Sequence, residues 1–144
     1  KRGLAYYVRS SSDYYQDTGS LVSTAGLDSK RAEDGVAVIL EEYQKISNGK
    51  SKISEKEIKK VKEYLKGHMV LGLEDSRSVS GFYAAQELLE DKIKNPDEII
   101  KKIDGVTIDD VQRVAGKYIV NSTLNLAVIG NFTNGQKFEK LLKL

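Results

Sequence analysis

Two strand-like segments stand side by side at the start of the chain, and almost everything after them has the period of a helix. In residues 4–9 (LAYYVR) apolar and aromatic positions alternate, with Leu4, Tyr6 and Val8 on one face. Alternation with period two and aromatic enrichment is typical of a strand. Turn-forming residues 15–19 (YQDTG) separate this segment from SLVSTAGL. We therefore predict an antiparallel hairpin over residues 4–27.

A helical region is predicted over residues 29–119. Its helix starts carry recognisable caps, including a capping box at Ser54 and Glu57 and a Pro at the first helical position after Asn95. Residues 123–130 (TLNLAVIG) are typical of a buried strand, and residues 135–143 of a terminal amphipathic helix. Strands segregated from helices predict an α+β fold in two layers, an antiparallel-rich sheet with helices on one face, in a single domain over residues 1–144.

Composition excludes several classes of function. The chain has 144 residues with 23 basic and 21 acidic side chains, so its net charge of +2 creates no strong field for nucleic acid. No apolar run is long enough for a membrane segment. The lysine-rich run over residues 50–66 is interspersed with Glu55, Glu57 and Glu63. That mixture favours a solvated helix face, and a nucleic-acid-binding module would rest on this run alone.

Catalytic motifs are missing from the sequence. His68 is the single histidine, no cysteine is present, and neither H-x-x-E-H nor H-E-x-x-H occurs. We interpret His68 as a packed or half-exposed helix residue. G-x-S-x-G and the phosphate-binding P-loop motif are also missing, and Ser76, Ser78 and Ser80 suit a helix bend or cap. The residues alone predict an α+β domain and leave its reaction open.

Five segments in order resemble one known family. They are RGLAYYVRSS, DTGSLVSTAGLD, the stretch from SEKEI to QELL, TIDDVQRVAGKY and LNLAVIGN. Together they cover nearly the whole chain, and the order RGLAY, D-x-G, AG-x-D, LKG and LE-x-S is their most specific part. The chain resembles the C-terminal, zinc-free repeat of the insulinase (pitrilysin-type) zinc metallopeptidases, in the branch of mitochondrial processing peptidase and its bacterial relatives.

The resemblance implies a division of labour between two α+β repeats that face each other across a closed chamber. The N-terminal repeat carries H-x-x-E-H and a distant Glu, binds Zn²⁺ and activates the water. The C-terminal repeat contributes an Arg and a Tyr that bind the substrate backbone and the developing oxyanion. By resemblance that Tyr is Tyr6. The paired Arg would lie upstream of Lys1, and Arg2 is too close to Tyr6 to take its role. No residue of this chain is implied as a metal or cofactor ligand.

The resemblance also implies partners and leaves an alternative. We expect an N-terminally truncated piece of a zinc endopeptidase, inactive alone, whose partners are the zinc-bearing repeat, in the same chain or a partner subunit, and a peptide substrate. Exposed sheet surface predicts that this piece self-associates. The protein is expected to be soluble, in the bacterial cytoplasm or cell envelope. The alternative is a non-catalytic structural or partner subunit of the same family.

Overall fold

The computed structural model describes residues 3–49 and 53–144. The chain divides into two compact units, one of residues 1–51 with 112–144 and the other of residues 52–111. The single domain over residues 1–144 stays a prediction. The fold is α+β, as predicted, with a two-stranded antiparallel sheet.

The hairpin predicted at residues 4–27 is present. Strand β1 spans Ala5–Tyr14 and pairs antiparallel with β2, Gly19–Leu27. In the connecting turn the Tyr15 N–H donates to the Thr18 carbonyl at 3.0 Å. The turn residues of YQDTG thus reverse the chain where the sequence pattern places the reversal.

Helix α1, Ala32–Ser47, packs against β2 of the hairpin. It follows a 3-10 turn at residues 29–31, where the Asp28 carboxylate accepts from the Lys30 N–H at 2.9 Å. The Tyr43 hydroxyl lies 2.6 Å from the Ser23 hydroxyl of β2. This contact joins the helix to the sheet and defines the helix-facing side of the hairpin.

The core of the first unit lies between α1 and the C-terminal helix α6, Gln136–Leu141. The Phe138 ring packs edge-on against Phe132, with ring centroids 5.1 Å apart. Full burial of a large apolar side chain such as Val, Leu or Phe stabilises the fold by about 1.5–3 kcal/mol. Ala32, Val36, Leu40 and Phe138 are its buried members, flanked by the partly buried Leu27, Leu124, Phe132 and Leu144.

Helices make up the second unit. They are α2, Glu55–Gly72, α3, Ser76–Leu89, and α4, Pro96–Gly105. A further helix, α5, spans Ile108–Tyr118. Both sequence-predicted starts are confirmed: Ser54 and Glu57 form a complete capping box, and Asn95 and Glu98 form another with Pro96 behind the cap. Among the described residues no helix has the length and apolarity needed to cross a membrane.

The strand predicted at residues 123–130 is not found. Residues 121–123 form a 3-10 turn, and the structure assigns residues 124–130 to no strand. Leu124 is extended, with φ −80° and ψ 125°, and packs against the core. An extended segment becomes a strand only when a neighbour completes its hydrogen-bond ladder. In the described part of the chain β1 and β2 pair only with each other.

Candidate functional site around Tyr6

Tyr6 is the extra residue of a β-bulge. Ala5 pairs with Leu27 and Tyr7 pairs with Gly26, so two steps along β1 correspond to one step along β2. Its side chain is 83% exposed. A bulge leaves one residue out of the ladder, bends the strand and re-aims a side chain, and bulges are over-represented beside active sites. The regular alternation of LAYYVR gave no sign of this, so the bulge is a feature that sequence reasoning missed.

The next residue, Tyr7, lies over Gly26. A Cβ placed on Gly26 would be 2.5 Å from Cε1 and 2.9 Å from Cδ1 of the Tyr7 ring. Such separations are shorter than van der Waals contact. The Tyr7 ring can therefore occupy this position only because residue 26 is a glycine. The ring therefore occupies the space above β2 immediately beyond the bulge.

On the other side of the bulge, Leu27 anchors β2 to α1. A Cβ on Gly35 would lie 2.6 Å and 2.7 Å from the two methyl carbons of Leu27. Gly35 thus allows the helix to approach the strand closely, and Leu27 joins the edge of the core. Three of the four positions of the AG-x-D segment that carried part of the resemblance have a physical use: Gly26 accommodates Tyr7, Leu27 packs on α1, and Asp28 caps the following turn.

Gly3, two residues before β1, also has a defined contact. Gly3 has φ +58°, a left-handed conformation that favours glycine. Its carbonyl accepts a hydrogen bond from Nη1 of Arg31 at 3.3 Å. Arg31 is thereby tied to the start of the RGLAY segment. Arg2 lies outside the described residues.

Two other residues considered in the sequence, His68 and Ser78, have contacts within the second unit. His68 lies on α2 with its ring against Tyr64, at a centroid separation of 4.4 Å. Asp75 caps α3 by accepting from the N–H and the hydroxyl of Ser78, at 3.0 and 2.6 Å. These hydrogen bonds, led by that from the hydroxyl, hold the pKa of Asp75 below its ordinary value. Ser78 is therefore the partner of the Asp75 cap, in the first turn of α3.

Part of the lysine-rich run has structural partners within the second unit. Lys62 donates to the Asp104 carbonyl at 2.7 Å, at the end of α4, and Lys66 lies 2.9 Å from the Asp104 carboxylate. Lys66 also pairs with Glu63 at 2.8 Å, and Glu63 and then Asp104 raise its pKa. Lys50 and Lys52 of this run lie outside the described residues.

Over residues 3–49 and 53–144 no group of three or more His, Asp or Glu side chains could hold a metal ion. What the site around Tyr6 offers is an exposed phenolic hydroxyl on a bulged strand, a group that can both donate and accept a hydrogen bond.

Comparison with known proteins places these features in a family. Residues 1–65 match the family described as "Peptidase M16 inactive domain". That segment contains the bulge, the Tyr7–Gly26 contact and α1. The chain is related to the inactive domain of the M16 peptidases. This confirms the family recognised from the five sequence segments.

Similar proteins extend the match over most of the chain. An uncharacterized zinc protease from Mycobacterium leprae is 31% identical over 143 residues, which is 99% of this chain and 32% of that protein. The beta subunit of mitochondrial-processing peptidase from Lentinula edodes is 29% identical over 129 residues, covering 89% of this chain and 27% of that subunit. The chain thus spans about a third or less of each relative.

Among solved structures, a chain in complex III2 from Candida albicans, with Inz-5 bound, has the same fold. The TM-score is 0.68 at 25% identity, over 76% of this chain and 26% of that chain. The likeness supports the α+β fold of this chain. Two thirds or more of each similar protein lies beyond the match.

Proposed function

We propose that this chain is the non-zinc-binding part of a zinc endopeptidase, which helps to close the substrate chamber and positions the peptide through Tyr6. The observation that carries the proposal is the bulge, which takes Tyr6 out of the ladder and leaves its side chain 83% exposed. The relation to the M16 inactive domain and to a named zinc protease supports the assignment to such an enzyme.

Tyr6 would act as a hydrogen-bond donor. A phenolic O–H aimed at the scissile carbonyl becomes more valuable as negative charge develops on that oxygen, so it stabilises the transition state more than the ground state. Zinc, its ligands and the activated water would come from the N-terminal repeat, in the same chain or a partner subunit. The bulge and the Tyr7–Gly26 contact would hold the phenol in position.

The test is Tyr6→Phe in the full-length protein with its zinc-bearing repeat. Loss of a single oxyanion donor lowers kcat on the order of 10²–10³-fold, and KM should change much less. Tyr14→Phe is the matched control, because Tyr14 lies on the same strand with a side chain 87% exposed. Equal turnover of the Tyr6→Phe variant and the parent enzyme would remove Tyr6 from the reaction.

A non-catalytic role in an assembly is the second candidate, and the likeness to a chain of complex III2 favours it. The two functions differ in what precedes this chain in the full-length gene. An H-x-x-E-H motif there, or in a neighbouring gene, supports the peptidase. Its absence from both supports a structural or partner subunit.

A further inference from the structure

The outer edge of β1 is open in the described part of the chain. The sheet contains β1 and β2 only, and regular pairing between them runs from Tyr7 to Tyr14 of β1. An open strand presents a row of backbone N–H and C=O groups that can pair with another strand. The edge of β1 is therefore a surface that can extend the sheet.

The two faces of β1 are defined by its contacts. The Ser10 hydroxyl lies 2.6 Å from the Ser23 hydroxyl, which in turn lies 2.6 Å from the Tyr43 hydroxyl of α1. Ser10 thus faces the helix, and alternation along the strand places Arg9, Ser11 and Asp13 on the opposite, solvent-facing side. Asp13 accepts from the Ser20 hydroxyl at 3.1 Å, and a carboxylate has further lone pairs for a cation.

The side chains along β1 are self-complementary about Ser11. If two copies of β1 run antiparallel with Ser11 opposite itself, Arg9 of each copy faces Asp13 of the other. On the helix-facing side, Val8 of each copy faces Tyr14 of the other, and these side chains are 58% and 87% exposed. Directly opposed charges and aromatic–β-branched pairs stabilise neighbouring strands. Such reciprocity is the signature of a two-fold interface.

We propose that the chain forms a two-fold symmetric dimer through antiparallel pairing of its β1 edges, which joins the two hairpins into a four-stranded sheet. The occupant of the edge is a second copy of this chain, because the charge pattern of β1 complements itself. Strand β2 has no charged side chain, so its edge offers no charge pair that would specify a register. The pairing surface is small, so we expect a reversible dimer that dissociates on dilution.

Charge exchange tests the register. In Arg9→Glu, two like-charge pairs replace two attractive pairs, and in sedimentation equilibrium the dimer dissociation constant should rise roughly tenfold. Asp13→Arg should do the same, and the double variant R9E/D13R should restore the parent value because the charges are exchanged. Lys60→Glu, which makes the same net charge change on α2, should have no effect. A monomer at every concentration, or a dimer that ignores these substitutions, would overturn the proposal.

Cysteine cross-linking tests which edge is used. The parent chain has no cysteine, so a single Ser11→Cys substitution places one thiol in each copy beside the two-fold axis. Directly opposed Cα atoms lie about 4.5–5.5 Å apart, within the range that a disulfide spans. Thr24→Cys on β2 is the control, since in the proposed sheet its two copies would lie three strand spacings apart and four residues out of register, about 20 Å from each other. Cross-linking at residue 11 and not at 24 supports the β1 dimer, and the reverse pattern, or neither, contradicts it.

Discussion

The ring of Tyr7 lies over Gly26, directly across the hairpin, in space that exists because residue 26 has no side chain. This contact stands next to the bulge that carries Tyr6. The conformation around Tyr6, a candidate functional residue, therefore depends on a glycine about twenty positions away in sequence. The hairpin brings these two positions together by closing the loop between them.

Gly26→Ala should move the Tyr7 ring without unfolding the chain. The ring is 56% exposed and can rotate away, so we expect a loss of stability of less than about 1 kcal/mol. The ring protons of Tyr7 should shift in the NMR spectrum. In a Tyr7→Ala background the same substitution should cost less stability, and equal costs in both backgrounds would show that the ring does not occupy this space.

Gly35→Ala should destabilise the first unit more strongly. The new methyl group would overlap Leu27, which packs at the edge of the core, and overpacking typically costs about 1–3 kcal/mol. Urea denaturation followed by circular dichroism measures the loss. Gly67→Ala is the control, because nothing lies within 4 Å of the added Cβ in α2. That substitution should stabilise the chain by about 0.5–1 kcal/mol, and a stabilising Gly35→Ala would contradict the packing described here.

Ser78→Ala should raise the pKa of Asp75 toward its ordinary value, because the hydrogen bond from the Ser78 hydroxyl is the largest cause of its lowering. A carboxyl group whose pKa is lower in the folded state stabilises that state above its unfolded pKa. The contribution is lost as pH falls through the lowered folded pKa. The variant should therefore lose helix content at higher pH during acid titration. NMR titration of the Asp75 carboxyl carbon checks the shift, and Ser80→Ala, on the same helix, should leave it unchanged.

Gln86→Leu should release the segment that follows α3. The buried Gln86 amide accepts from the Lys94 N–H at 2.9 Å and donates to the Lys94 carbonyl at 3.1 Å, so both groups of Lys94 lose a partner. Leaving such groups unpaired costs about 1–3 kcal/mol. The amide of Lys94 should exchange hydrogen faster. Glu87→Leu, at the exposed neighbouring position, should preserve its protection, and unchanged exchange in Gln86→Leu would show that other groups hold the segment.

Local chemistry explains which elements could be predicted. The YQDTG turn, the Ser54–Glu57 capping box and the Asn95–Pro96 start depend on residues a few positions apart, and the structure has all three. The role of Gln86 could not be predicted in this way. A single glutamine in an amphipathic pattern does not reveal that its amide will be buried against a backbone eight residues later.

The sequence by itself determined the hairpin, the helix starts and the family, because turn chemistry, caps and ordered motifs are local signals that survive in any context. Tertiary structure alone decided the bulge at Tyr6, because a bulge depends on how β1 pairs with β2. Two contacts flank it: Tyr7 lies over Gly26, and Leu27 packs against Gly35. It also decided that residues 124–130 form no strand. Their β-prone sequence specifies an extended backbone, but a strand requires a partner for its hydrogen bonds, and only the three-dimensional arrangement supplies or withholds that partner.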